Sequence, residues 1–383
     1  MIKRTPSRWG GGVSLLWNGI EAREVLGNLL NVSTASYVNS SYFEFDSARN
    51  GLFHFLKSHG IGKGDKVAVF VFTCDAVTDA ILDLGSEIVF YSCDKQLENG
   101  QIPETTKVPK VIIEQVTFGR RSLSDEILQK YEAGGSIIIR DKALSYGPND
   151  FTSDAAVKYP TLFSFEASKS LTVGWGGILA LPEAQSKIFL EYYDTLRRVD
   201  AISDLHRNIV LALNAANAKS GSRVKFLFWI LASALRLKRR SSRSSMEYSR
   251  THSRLGKWTT RLLQTTLVGA EEKLAISNAI HDDLKKYLEE NGFQVISRVD
   301  DACSTPRVTF ICENNRSELV AKLEEHNVEC GMWFDFPPVD PSAWNLPDGW
   351  ENMFSQYLNL PCHYTLTSDK VLKIKEAINE FAS

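Results

Sequence analysis

Lys169, Asp141 and Ser164 have the types and the neighbours to carry chemistry in this sequence. Phe163 to Ala180 reads FSFEASKSLTVGWGGILA: an apolar run ending at Ser164, then Lys169, then Gly174, Gly176 and Gly177 leading into Ile178 and Leu179. The pattern is strand, tight loop, strand, and it sets one amine in a pocket rich in backbone. A lysine held among small residues between two buried strands can attack a carbonyl; a solvated loop lysine is the plain alternative. Asp141 follows the run SIII and Arg140, at the carboxyl end of an expected central strand, where open α/β sheets place their ligands. A buried carboxylate is costly unless a cation meets it. A lysine that forms a Schiff base, with an aspartate facing a pyridinium nitrogen, is what pyridoxal 5'-phosphate (PLP) requires of a protein.

These residues need a scaffold, and the hydrophobic pattern supplies one. Val67–Phe72, Ile88–Tyr91, Val111–Glu114 and Ile137–Ile139 are apolar runs of strand length, with helical spacing in Ala76–Leu84 and Leu123–Tyr131 between them. Such alternation predicts an α/β fold with a mostly parallel sheet, right-handed crossovers and helices on both faces. A helix starts at Ser47, carries Leu52, Phe55 and Leu56 on one face and closes at Gly60. Pro182 to Lys219 is helix-like. From about residue 265 a smaller α+β domain is expected, with a helix through Leu274–Leu288, a strand at Arg307–Cys312, a helix at Leu319–Leu323 and a last helix starting near Thr367 or Ser368. The division is an irregular arm at 1–40, a large domain at 41–262 with a helical insertion near 183–260, and a C-terminal domain at 263–383.

With 383 residues, 43% hydrophobic and 23% charged, the chain is large enough for two domains and too apolar to be disordered. Its net charge of −2 gives no general attraction to nucleic acid. The six cysteines form no CxxC pair, so reduced thiols and no metal site are expected. The start, MIKRTPSRWGGG, lacks the apolar core of a secretory signal, and no run reaches the roughly 18 apolar residues that span a bilayer. A cytoplasmic location is the expectation.

The ordered set SARNGL at Ser47, GKGDKVAVFVFTCDAVTDAI from Gly62, FGRR at Phe118, IIIRDKALSYG from Ile137 and SFEASKSLTVGWGG from Ser164 resembles the DegT/StrS family of PLP-dependent sugar aminotransferases. The resemblance covers most of the chain. It implies the aspartate aminotransferase-like type I fold, a homodimer, PLP as cofactor, a nucleotide-linked keto-sugar as substrate for polysaccharide or lipopolysaccharide-type glycan synthesis, and glutamate as amino donor. It makes Lys169 the lysine that bonds the cofactor and Asp141 the partner of the pyridine nitrogen. Arg49 and Asn50 fall where a helix start receives the cofactor phosphate. Cys74 falls against one face of the ring, Leu144 beside its hydroxyl, and Ser164 toward the phosphate. His252 and Arg254 stand at the family's Asn-x-Arg, which enters the partner subunit's site and meets the substrate; an arginine there can clamp a carboxylate or phosphate.

Several positions depart from the family. Arg49 and Asn50 replace a hydroxyl residue and a small one, His252 replaces Asn, Val116 replaces His and Trp175 replaces Glu. Leu144 stands where Gln or His bonds the ring hydroxyl, and leucine neither donates nor accepts. Residue by residue, plain alternatives remain: a solvated arginine at Arg49, a small buried residue at Cys74, a backbone-satisfied serine at Ser164 and a surface arginine at Arg254. Two other functions also stay open. One is a different PLP reaction on a sugar, such as dehydration, whose enzymes generally carry histidine in place of the lysine. The other is a degenerate, non-catalytic binding or scaffolding subunit. The segment 224–243, VKFLFWILASALRL followed by Lys238, Arg239, Arg240 and Arg243, is an apolar block with a basic tail. It suits either a buried interface helix or peripheral contact with a membrane surface. The Trp- and Pro-rich stretch from Gly331 to Trp350 is expected as a loop near the substrate mouth.

Overall fold

The computed structural model describes residues 22–29, 41–94, 97–104, 108–147, 149–151, 157–218, 254–297, 303–328, 330–331 and 356–382. The continuous apolar runs form β1 (Tyr42–Phe45), β2 (Lys66–Phe70), β3 (Glu87–Tyr91), β4 (Val111–Thr117), β6 (Ile137–Asp141), β7 (Thr161–Ser164) and β8 (Gly177–Ala180), with a short β5 (Arg120–Arg121). They join in the order β1-β8-β7-β6-β4-β2-β3, and β5 pairs with β4 alone. The five strands from β7 to β3 run parallel, while β8 and β1 are antiparallel to their neighbours. Every residue of β4 is buried, as expected of a strand covered on both faces.

Three helices connect the early strands: α2 (Ala48–Ser58), α3 (Asp75–Leu82) and α4 (Asp125–Ala133). Ser47 caps α2, its hydroxyl accepting from the Asn50 N–H at 3.2 Å, and Leu52, Phe55 and Leu56 are buried on its inner face. The 1–40 stretch, expected as an irregular arm, contains α1 (Ala22–Leu29), which buries Val25 and packs on α6 (Ala201–Ala218). The helix-like run from Pro182 breaks between α5 (Glu183–Asp194) and α6. Backbone groups of Arg197 and Val199 bond the backbone of Arg254 there instead of continuing the helix, and the Asp200 carboxylate accepts from the Ser203 N–H at the start of α6.

The C-terminal part holds an antiparallel sheet of β9 (Gln294–Val295), β10 (Arg307–Ile311) and β11 (Tyr357–Pro361), with α7 (Lys257–Val268), α8 (Ala270–Glu290), α9 (Arg316–Glu325) and α10 (Ser368–Ala382). One apolar cluster lies under the parallel sheet, a second between β7, β8, α6 and α7, and a third within the C-terminal part. The α8 helix links the last two, with Ala270 and Leu274 in one and Leu284 and Leu288 in the other. Among the described residues no helix is long and apolar enough to cross a membrane.

Candidate active site

The loop from β7 to β8 folds as a strand–loop–strand closed by its own hydrogen bonds. Phe165 donates to the Gly176 carbonyl at 2.9 Å, Val173 donates to Phe165 at 3.1 Å, and Lys169 N–H donates to Glu166 at 3.0 Å. Gly174 and Gly176 turn the chain back with φ of 83° and 102°, a region that only glycine enters readily. Lys169 is half-buried at the tip of this turn.

Asp141 ends β6 between Gln115 of β4 and Leu162 of β7, at the carboxyl edge of the parallel strands. Its Oδ1 accepts from the Ala143 N–H at 2.9 Å. Burial raises its carboxyl above the ordinary value, and that hydrogen bond and the Lys169 charge pull the other way. Cys74 stands at the head of α3. Burial pushes its thiol up, while the charges of Lys169 and Arg49 lower it. Its side chain is nevertheless solvent-exposed. Exposure with protein massed around it is what a residue on the floor of a cleft shows. Lys169, Asp141, Cys74 and Arg49 therefore lie within one electrostatic neighbourhood.

The head of α2 borders the same cleft. β8 runs against it so closely that a Cβ at Gly177 would lie 2.3 Å from the Ala48 nitrogen. Ser47 pairs with Gly176, and Ser164 pairs with Gly177. Arg49 reaches α3 and pairs with Asp79 at 3.3 Å. Asn50 is 1% exposed, yet neither amide atom of its side chain has a hydrogen-bond partner. The hydroxyls of Thr73, next to Cys74, and Ser170, next to Lys169, are buried without partners too. Each such group costs about 1–3 kcal/mol when nothing answers it, and others lie elsewhere, at Ser145 and Ser304 among them. PLP fits this donor set: a helix start for its phosphate, an amine for its carbonyl and a buried carboxylate for its ring nitrogen. Leu144 offers no hydrogen bond and packs into the apolar cluster under the sheet.

Arg254 is held within its own chain, by Asp194 at 3.1 Å and over the Tyr193 ring at 4.2 Å, beside β1 rather than against Lys169. Trp175 packs against the second apolar cluster and lies under Arg207, whose guanidinium also pairs with the buried Asp46. Val116 is buried. His252, the 224–243 block and residues 332–350 lie outside the described residues. Asp79 and Asp46 are the residues that sequence reasoning missed. No spacing in the sequence singles out Asp79: its carboxylate meets Arg49 only because α2 and α3 lie side by side.

Residues 34–195 match the model of the DegT/DnrJ/EryC1/StrS aminotransferase family. The spore coat polysaccharide biosynthesis protein SpsC of Bacillus subtilis is 29% identical over 150 residues, which are 37% of this chain and 37% of that protein. The chain thus matches little more than a third of the length of this curated relative. Solved structures are alike over far more. A DegT DnrJ EryC1 StrS aminotransferase from Brucella abortus superposes with a TM-score of 0.61 at 18% identity, over 95% of this chain and 91% of the other. S. venezuelae DesV gives 0.64 at 15% identity, over 94% of each chain. Bacillus subtilis NtdA with bound cofactor PMP gives 0.64 at 14% identity, over 97% of this chain and 84% of the other. At these identities the superpositions establish the fold, which is the type I arrangement expected from the sequence. Residues 34–195 thus resemble the DegT/DnrJ/EryC1/StrS aminotransferase family, and along nearly its whole length the chain shares the fold of these solved structures.

Proposed function

We propose that this protein is a PLP-dependent aminotransferase that converts a nucleotide-linked keto-sugar to an amino-sugar for polysaccharide synthesis, with glutamate as the amino donor. The observation that carries the reading is a buried Asp141 at the carboxyl edge of the sheet whose carboxyl, raised by burial, is lowered by the Ala143 hydrogen bond and the Lys169 charge. PLP, when bound, supplies an electron sink for the bond-breaking at the amino-bearing carbon. The chain supplies the rest. Lys169 Nζ is the nucleophile toward the cofactor carbonyl and afterwards the base and acid that carries a proton from one carbon to the next. The Asp141 carboxylate, desolvated but answered by a cation, holds the ring nitrogen in its protonated form. The head of α2, with Arg49 and Asn50, and the Ser164 hydroxyl receive the phosphate. Cys74 would face the cofactor ring, and Leu144 would line it without offering a hydrogen bond. Arg254 and His252 serve the substrate of a partner subunit in a cytoplasmic homodimer, and the 224–243 block is either part of that interface or a peripheral membrane contact.

Leu144 favours a second reading, a non-catalytic binding subunit, because its buried apolar side chain removes one anchor of the cofactor ring. Turnover separates the two. With glutamate and a panel of nucleotide-linked keto-sugars, the enzyme reading expects release of 2-oxoglutarate, and Asp141→Ala should slow it about 100-fold or more while PLP stays bound. No release from any sugar, or unimpaired release by Asp141→Ala, would contradict it.

A further inference from the structure

Arg49 and Asp79 are joined across two helices in a way the reaction scheme leaves unexplained. Arg49 is the second residue of α2, the helix whose head borders the cleft, and its side chain is 13% exposed. It does not extend into solvent. Its Nη1 lies 3.3 Å from Asp79 Oδ2 on α3, an ion pair without hydrogen-bond geometry, and that carboxylate is itself only 20% exposed. Burial raises the Asp79 carboxyl, and Arg49 is the leading influence that lowers it. Arg49 stands in the first turn of α2, next to the Ala48 nitrogen that β8 approaches and the Ser47 that pairs with Gly176. Asn50, the next residue, holds two buried amide atoms without partners.

We propose that Asp79 is a positioning residue: it ties the Arg49 guanidinium across the heads of α2 and α3, where it adds a side-chain cation to the helix end that binds the phosphate of the cofactor. The inference rests on the PLP reading of this cleft. A planar guanidinium matches a phosphate only when its fork is correctly aimed, and an arginine without an anchor loses much side-chain freedom on binding. The bare charge of Asp79 opposes an anion, so its field alone would weaken phosphate binding. Positioning and field thus predict opposite signs for Asp79→Asn.

The test is the affinity of the cofactor-stripped protein for PLP and for pyridoxal, which lacks the phosphate, read by quenching of intrinsic fluorescence. Asp79→Asn should weaken PLP binding about tenfold and leave pyridoxal binding unchanged. Arg49→Gln should show the same selective loss, and Asp79→Asn should add nothing in that background. A variant that is merely misfolded loses both ligands, so Arg49→Gln keeps the test open if Asp79→Asn is unstable. Tighter or unchanged PLP binding by Asp79→Asn overturns the proposal while leaving the cofactor reading intact. Wild-type protein that binds neither ligand overturns the cofactor reading, and the proposal with it.

Discussion

Single residues in this protein are tuned by what burial does to charge. Asp141 and Cys74 are both raised by burial and both answered by Lys169, which is why one amine can serve as the hub of the cleft. The same physics acts far from it at His363, which is 4% exposed and whose Nδ1 bonds Thr365 at 2.7 Å. Burial, with the Arg307 and Lys370 charges, lowers this imidazole from 6.5 to about 3. The unfolded chain then takes up a proton that the folded chain refuses. The resulting stability is complete above about pH 6.5 and is lost as pH falls toward about 3. Chemical denaturation across that window should show a slope of up to about 1.4 kcal/mol per pH unit that His363→Asn removes; an equal slope in both proteins would contradict this. Asp141 stands out in the sequence as a charged residue at the end of an apolar run, and Lys169 as an amine in a tight loop between two such runs, so both could be singled out as candidates. The Arg49–Asp79 pair could not, since neither spacing nor composition says which carboxylate a surface-looking arginine will meet.

The elements position the cleft through one close approach, that of β8 against the head of α2. Gly177 permits it, because a Cβ there would meet the Ala48 nitrogen at 2.3 Å and Ala48 Cα at 2.5 Å. Backbone cannot step aside as a side chain can. Gly177→Ala should therefore destabilise the protein by about 1–3 kcal/mol, seen as a lower Tm, and should weaken PLP binding because the helix head moves. An unchanged Tm would show that the approach is looser than described. The parallel sheet was readable from β2, β4 and β6 because buried strands leave unbroken β-branched runs. The break between α5 and α6 was not, because it is made by Arg254, more than 50 residues later, bonding the backbone of Arg197 and Val199. The α1 helix escaped notice for a similar reason: Val25 is buried because α6 and α7, distant in sequence, lie against it.

At the scale of the whole molecule, a fold shared at 14–18% identity is held by pattern, not by particular side chains. Apolar runs and turn glycines can be kept while site positions vary, and Leu144, Val116 and Trp175 are not the residues that the resemblance implies. Fold and chemistry are thus separable here, and the account stands on whether the chemistry survives. The most direct measurement is the visible absorption spectrum of the purified protein after addition of PLP, before and after glutamate, beside Lys169→Ala. The account predicts a visible band from the lysine-linked cofactor in the wild type, bleached by glutamate and absent in Lys169→Ala. No band in the wild type, or the same band in Lys169→Ala, would contradict it.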